Sequence, residues 1–481
     1  MMNPLPIDPV AWLVLLPLAW ASLTFLLGPG RGAWAAIAGL ALQLLLAAHL
    51  ATTVWDAGVA VHRVGGWGAP LGIDLAADGL SVAMLLLTQL LALPLAVYAR
   101  AYFAAAEMAA RYFWPLTGFL LAGLNALFVS ADLFNLYVTL ELVGLAAVGL
   151  VAAGGGAQQI GAALRYLFAT LIGSGAYLLG VALIYGAYGT VSISSLLPLV
   201  SVEAPRAFWL AGALMLAGLM LKTALFPFHF WLPPAHGGSP APVSALLSAL
   251  VVKASFYLIL RLWLGPFAAR ADTVASLTAL FGAAAILWGS YRAIRARRLK
   301  MLVAYSTVAQ LGYLFLIFPL LSNVVALQAG VMQAFAHGLA KAAMFAAAGV
   351  LIKATGQDRV DGLAGVAERL PLTLFAFGLA GVTLMGLPPS AGFLAKWQLI
   401  EAALAQRQWP VAAVVLAGGL LAAVYVFRVL RQAFLLAPAS HDVQPVPRTL
   451  EWMAFALAAM SVLLGLRGVE LMQLLGVGRA S

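Results

Sequence analysis

Apolar runs of about twenty residues follow one another along the whole chain, parted only by short polar breaks. A run of that length spans the hydrocarbon core of a bilayer as one helix. With no water there to satisfy backbone groups, the helix is the natural solution for each run. The pattern predicts an all-α polytopic membrane protein with about 14 transmembrane helices, at residues 10–28, 33–54, 79–98, 112–130, 133–153, 159–186, 207–234, 240–263, 272–292, 301–320, 323–351, 371–403, 409–432 and 451–468. Composition closes off the alternative: 64% of the 481 residues are hydrophobic and 9% are charged, and no water-soluble fold needs so much apolar surface. The gaps at 55–78 and 187–206 read as short loops, with Ser192 to Val200 a short interfacial piece, so no soluble domain is expected.

Several function classes drop out. The chain has no cysteine, which excludes cysteine-ligated iron–sulfur clusters, disulfides and thiol catalysis. It lacks a GxxxxGK[ST] phosphate loop, an HExxH zinc site and a GxGxxG turn after a strand, which argues against an ATPase, a metalloprotease or a nucleotide-dependent oxidoreductase. No cofactor or metal is expected. The first apolar run follows Asp8 without a basic segment and reads as a retained span rather than a cleaved signal. The net charge of +10 points to basic loops on one membrane side, not to nucleic acid.

Those loops set an orientation. Arg292, Arg295, Arg297, Arg298 and Lys300 form the densest basic run, which the positive-inside rule places in the cytoplasm. Counting spans outward puts both termini outside. Arg100 and Arg111, then Lys353, Arg359 and Arg369, then Arg428, Arg431 and Arg448 fall inside; Asp56, Asp74 and Asp78 fall outside.

A faint internal symmetry is also visible. The seventh run carries Lys222, then Pro227 and LPP at 232–234; the twelfth carries LPP at 387–389, then Lys396. Both are long, broken by proline and hold one lysine beside the break. They lie five spans apart, so they cross in opposite directions, as an inverted repeat requires, and paired broken helices point to a site at mid-membrane.

Charge placement points to the chemistry. The chain has six lysines and twenty arginines. The arginines mostly occupy span ends and loops, whereas Lys222, Lys253, Lys341 and Lys396 fall inside apolar runs. Arginine keeps its proton in a protein, while a desolvated lysine can lose one. A charge at the bilayer centre costs about 3 kcal/mol or more, so it persists where it is paired or useful. Glu141 alone among the acidic residues sits near the middle of a span and is the natural counter-charge for a buried lysine; a static ion pair is the plain structural alternative. His337 lies four residues before Lys341 on the same helix face, and the two read as a proton relay. Lys253 lies mid-span near Ser248 and Ser255. His229, at the break of the seventh run, would either lead protons toward Lys222 or hydrogen-bond a helix end. Arg165 and Arg261 are expected to snorkel to the interface, and Asp132 and Glu401 to be end residues.

The stretches ADLFNLYVTLELVGLA, LKTALFPFHFWLPPAHGGSPAPVSALLSALVVKASFY, RRLKMLVAYSTVAQLGY, AFAHGLAKAAMF and LPPSAGFLAKWQLI together resemble the antiporter-like membrane subunits. That family comprises the D-type member of Mrp-type multisubunit Na+/H+ antiporters, the proton-pumping membrane subunits of respiratory complex I, and relatives in membrane-bound hydrogenases. The resemblance runs in order over roughly residues 80 to 435. It implies a 14-helix fold with two inverted five-helix repeats, each containing a broken helix: an N-terminal three-helix segment over 1–111, repeats over 112–265 and 266–435, and a C-terminal helix within 436–481. It implies roles in proton translocation for Glu141, Lys222, Lys253, His337, Lys341 and Lys396, with His229 auxiliary.

Lys396 stands where the M-type member of complex I has a glutamate, and the chain stops soon after span fourteen, unlike the long members. Helix seven resembles the Mrp D-type and hydrogenase-associated branch more than the N-type one. The expected function is a proton- or cation-translocating subunit of an Mrp-type antiporter. The alternative is a proton-pumping subunit of a complex I-like or hydrogenase complex. Either carries no redox or hydrolytic centre of its own and works with other membrane subunits. It would sit in a bacterial or archaeal plasma membrane and handle protons, with Na+ as a second cation.

Overall fold

A computed structural model of the chain describes residues 8–104, 106–200, 203–436 and 443–478. Among them, twelve helices are long and apolar enough to cross a membrane. The first of these, Pro9–Ala57, is two spans folded back at Gly28, whose φ of 72° lies in the left-handed region. Trp20 Nε1 donates to Gln43 Oε1 at 2.9 Å across this hairpin. The twelfth span is broken into Pro371–Met385 and Ala391–Ala405, each too short to reach that length. With the first helix divided and the broken one added, the spans number fourteen, as the apolar runs predict.

The loops form two layers. In one, Arg298 Nε donates to Asp358 at 2.9 Å, Arg428 to the carbonyl of Ala296 at 2.7 Å, and Lys353 to that of Tyr102 at 3.0 Å. In the other, strands β1 (Ala60–Arg63) and β2 (Asp74–Ala77) pair antiparallel. Leu75 bridges to Ser130 and Asp132 to Ser192, while Gly79 N donates to Val477 O at 3.1 Å. Segments expected to share a membrane side therefore touch, and the basic loops fall in the first layer.

The hairpin falls in the gap at 55–78 that read as a plain loop. Its eight strand residues are too few, and its turn too rich in glycine, to register against the apolar runs. The piece after Ser192 is a short helix, Ile193–Leu196, followed by a single 3-10 turn. Asp132 caps the span Leu133–Ala152, accepting from Asn135 N at 2.7 Å, and is an end residue as expected. Arg261 departs from expectation. It does not snorkel but makes a two-pronged ion pair with Asp78, because Asp78 at the start of the third span lies beside it and offers a partner that the interface does not.

The breaks in spans seven and twelve follow from local sequence. Arg206–Thr223 ends at Ala224, which takes a φ of 58°, and proline removes the donors needed to continue. The chain resumes through His229–Trp231 into Leu232–Gly238, and Trp231 Nε1 donates to the freed carbonyl of Leu221 at 2.8 Å. Pro371–Met385 ends likewise at Gly386, with φ 82°. Span eight is unbroken but contains a π-helical turn at Leu247–Val251, a wide turn often found at functional sites.

Candidate ion-translocation site

Lys222 occupies the last turn of its half-helix, where the negative end of the helix dipole favours a cation. Its Nζ lies 3.7 Å from Glu141 Oε2, too far for a direct hydrogen bond. Ser174 closes the gap: Lys222 donates to its hydroxyl, which donates to Glu141 Oε2. Lys222 also donates to Thr170 Oγ1 at 2.6 Å. The side chain needs room to reach this cluster. A Cβ on Gly173 would stand 2.8 Å from Lys222 Cγ, so only glycine leaves the stem its path.

Next to Lys222 lies a void of about 10 Å³ bounded by Gly144, Thr170, Val251 and Ser255, close to the smallest space that holds one water. It leads toward the helix that carries Lys253. Lys253 is fully buried, and its Nζ donates to the carbonyl of Ser248 at 3.1 Å. That carbonyl belongs to the π turn, so the irregular turn supplies the acceptor. Ser248 Oγ and Thr307 Oγ1 are 2.9 Å apart.

Lys341, also fully buried, donates to the carbonyl of Val303 at 2.6 Å and to Ser306 Oγ. His337 is completely enclosed, and neither ring nitrogen has a hydrogen-bond partner among the described residues. Lys253, Lys341 and His236 all lie within electrostatic reach of it. His337 and Lys341 are thus neighbours without a hydrogen bond between them. His236, outside the expected set, is enclosed too and stacks on Phe345 at 4.9 Å.

Lys396 reaches back across the break in span twelve. Its Nζ donates to the carbonyl of Leu384 at 2.6 Å and to that of Met385 at 3.3 Å. Lys222 precedes its break and sends its ammonium across to span six, whereas Lys396 follows one and places its ammonium on the carbonyl end of the first half-helix. From Lys396 a polar line runs to Lys341. Gln310 Nε2 donates to the same Leu384 carbonyl at 3.1 Å and lies 3.4 Å from the hydroxyl of Tyr425, which lies within electrostatic reach of Ser306. His229 stands apart from all this: it stacks on Phe226 and feels Arg292, with no contact to Lys222 in the structure.

Ser174, Thr170, Ser306, Gln310 and Tyr425 were not among the sequence-predicted residues. Thr170 and Ser174 did carry a signal, since two hydroxyls four residues apart on an apolar helix share a face. Gln310 and Tyr425 carried none, because their meeting depends on how spans ten and thirteen pack.

These features define a polytopic membrane protein built around a line of buried cationic and acidic side chains. A family model described as NADH:quinone oxidoreductase/Mrp antiporter, TM, matches residues 130–422, and the chain belongs to that family. It is 38% identical over 394 residues to the N-type subunit of the NADH-quinone oxidoreductase of Desulforudis audaxviator, covering 80% of this chain and 78% of that one. It is 30% identical over 436 residues to the D-type subunit of the Na(+)/H(+) antiporter of Alkalihalophilus pseudofirmus, covering 90% and 87%. It superimposes on a chain of the Mrp complex from Dietzia sp. with a TM-score of 0.89 at 28% identity, over 97% of this chain and 96% of that one. Overall identity is thus higher to an N-type subunit than to a D-type one, whereas helix seven alone pointed the other way.

Proposed function

We propose that this chain is the proton- or cation-translocating subunit of a multisubunit Mrp-type Na+/H+ antiporter. The supporting observation is the line of buried groups from Glu141 through Lys222, Lys253, His337 and Lys341 to Lys396, in which Lys222 faces Glu141 across Ser174 while Lys253, Lys341 and Lys396 rest on neutral acceptors. A lysine held by hydroxyls and carbonyls can give up its proton without stranding a buried carboxylate. Glu141 sets the charge of Lys222 through Ser174. A proton leaving Lys222 passes the water-sized void to Lys253, crosses His337 and Lys341, and reaches Lys396 through Ser306, Tyr425 and Gln310. Tyr425 can donate and accept at once; Gln310 positions the carbonyl end. The two inverted repeats, 112–265 and 266–435, each contribute one broken helix to this line.

The orientation belongs to the same reading: the loop at 292–300 lies in the cytoplasm of a bacterium or archaeon, and both termini lie outside. Other membrane subunits complete the assembly. A second reading is favoured by the 38% identity to an N-type subunit: a proton-pumping subunit of a redox-driven complex, with the same membrane chemistry and a different driver.

The test is transport by the purified native complex in sealed vesicles, wild type beside Lys222→Ala. An imposed Na+ gradient without an electron donor is expected to drive a pH change in wild type and at least tenfold less in the variant. Normal transport by the variant removes Lys222 from the path. A response only after an electron donor is added selects the redox reading.

A further inference from the structure

We propose that the end of span eight beyond Lys253 carries a proton port, a cavity floored by Tyr257, Arg261 and Asp78 through which protons pass between the outer side and Lys253. The inference rests on the translocation reading above. The cavity has a volume of about 920 Å³. Its walls come from the layer of loops that includes the β-hairpin: Ala76 from β2, Ser130 from the turn between spans four and five, and Ser194 from the short helix after Ser192. No basic loop of the opposite layer contributes. Lys253, Tyr257 and Arg261 stand four residues apart in sequence, so they share one face of the helix. The cavity floor is therefore one helical turn from the central lysine.

In the structure this port is shut. Tyr257 OH donates to the carbonyl of Phe128 at 2.6 Å and accepts from Arg261 Nε at 2.9 Å, so both its functions are engaged. Arg261 Nη2 also donates to Ser81 Oγ at 2.7 Å, and the guanidinium grips Asp78. An arginine does not give up its proton, so Arg261 is a fixed positive charge across the way to Lys253. Lys253 meanwhile turns away, toward the Ser248 carbonyl. Burial pushes the Asp78 carboxyl up, but the charge and hydrogen bonds of Arg261 outweigh it and hold that carboxyl below the usual range. The pair thus stays ionised at neutral pH, and the port opens when the two side chains separate. Once Arg261 swings aside, the Tyr257 hydroxyl is free to take a proton from water in the cavity as it passes its own toward Lys253.

The chain has no cysteine, so single cysteines can report access. In the native complex, Ser130→Cys on the cavity wall is expected to react with a membrane-impermeant thiol reagent added outside. Ser81→Cys, buried behind the floor against Arg261, is expected to react at least tenfold faster when combined with Arg261→Gln than alone. In vesicles with a pH gradient and no Na+ gradient, Arg261→Gln is expected to raise passive proton flux at least fivefold, and adding Lys253→Ala to remove that flux. Asp78→Asn replaces Arg261→Gln if the latter does not assemble. A Ser130→Cys chain that stays unlabelled from outside, a Ser81→Cys rate indifferent to Arg261, or a leak that survives Lys253→Ala would each overturn the port. Wild-type vesicles silent to both a Na+ gradient and an electron donor would instead strike the translocation reading, since the labelling measures the port alone.

Discussion

Ser174 holds the acidic and basic ends of the first charge pair together. Lys222 and Glu141 are 3.7 Å apart and share this one hydroxyl. Removing it leaves a buried ammonium and carboxylate short of a partner, a cost of about 1–3 kcal/mol. Ser174→Ala is therefore expected to lower coupled transport about tenfold, less than Lys222→Ala, while the complex still assembles. Transport at the wild-type rate would show that the pair acts across the open gap. A second contrast separates charge from proton exchange. Lys396→Arg keeps the cation beside Leu384 and Met385 but cannot be deprotonated in a protein. It is expected to retain assembly and to lose transport as fully as Lys396→Ala; an active arginine variant would make Lys396 a fixed charge.

The broken helices do at the level of an element what no single side chain can. Each exposes the carbonyl end of a half-helix inside the membrane; Lys222 sits in the last turn of one, and Lys396 rests its ammonium on the carbonyls of the other. Gly386 closes the first half of span twelve at a φ of 82°, and a Cβ there would stand 2.6 Å from Lys396 Cδ. Gly386→Ala thus strains the backbone by roughly 1 kcal/mol and also pushes the lysine off its carbonyls. Transport is expected to fall several-fold with a small drop in thermal stability; a loss of stability with unchanged transport would mean the lysine finds another seat. The breaks were legible in the sequence because proline and a polar residue interrupt an apolar run. The π turn at Leu247–Val251 was not, since SALLSALVVK reads as an ordinary helical run, with no proline or glycine, and nothing in it marks a wide turn. The β-hairpin was too short to register. The lysines, Glu141 and His337 were legible because a charge or an imidazole in an apolar run is costly enough to stand out. Ser174, Gln310 and Tyr425 were not, because a hydroxyl or amide costs little there and its partners sit on spans far away in sequence.

For the molecule as a whole, the two loop layers turn an argument about charge into one about sides. Arg298 bonds Asp358, Arg428 reaches the Ala296 carbonyl and Lys353 that of Tyr102, so four separate stretches of basic loop share one face. Asp74 and Asp78 share the other with the hairpin. A miscounted span would have thrown one of these loops to the wrong layer, and none is misplaced. The layers fix which loops go together; the positive-inside rule then says which layer is cytoplasmic. That assignment predicts opposite labelling of two single-cysteine chains in intact cells. Asp56→Cys, next to the hairpin, should react with an impermeant thiol reagent in whole cells. Arg297→Cys, in the densest basic run, should react only after the membrane is opened. The reverse pattern would turn the molecule over and make the Asp78–Arg261 cavity an inlet from the cytoplasm. The buried line would keep its order in either case, because its geometry depends on how the spans pack and not on which side each loop faces.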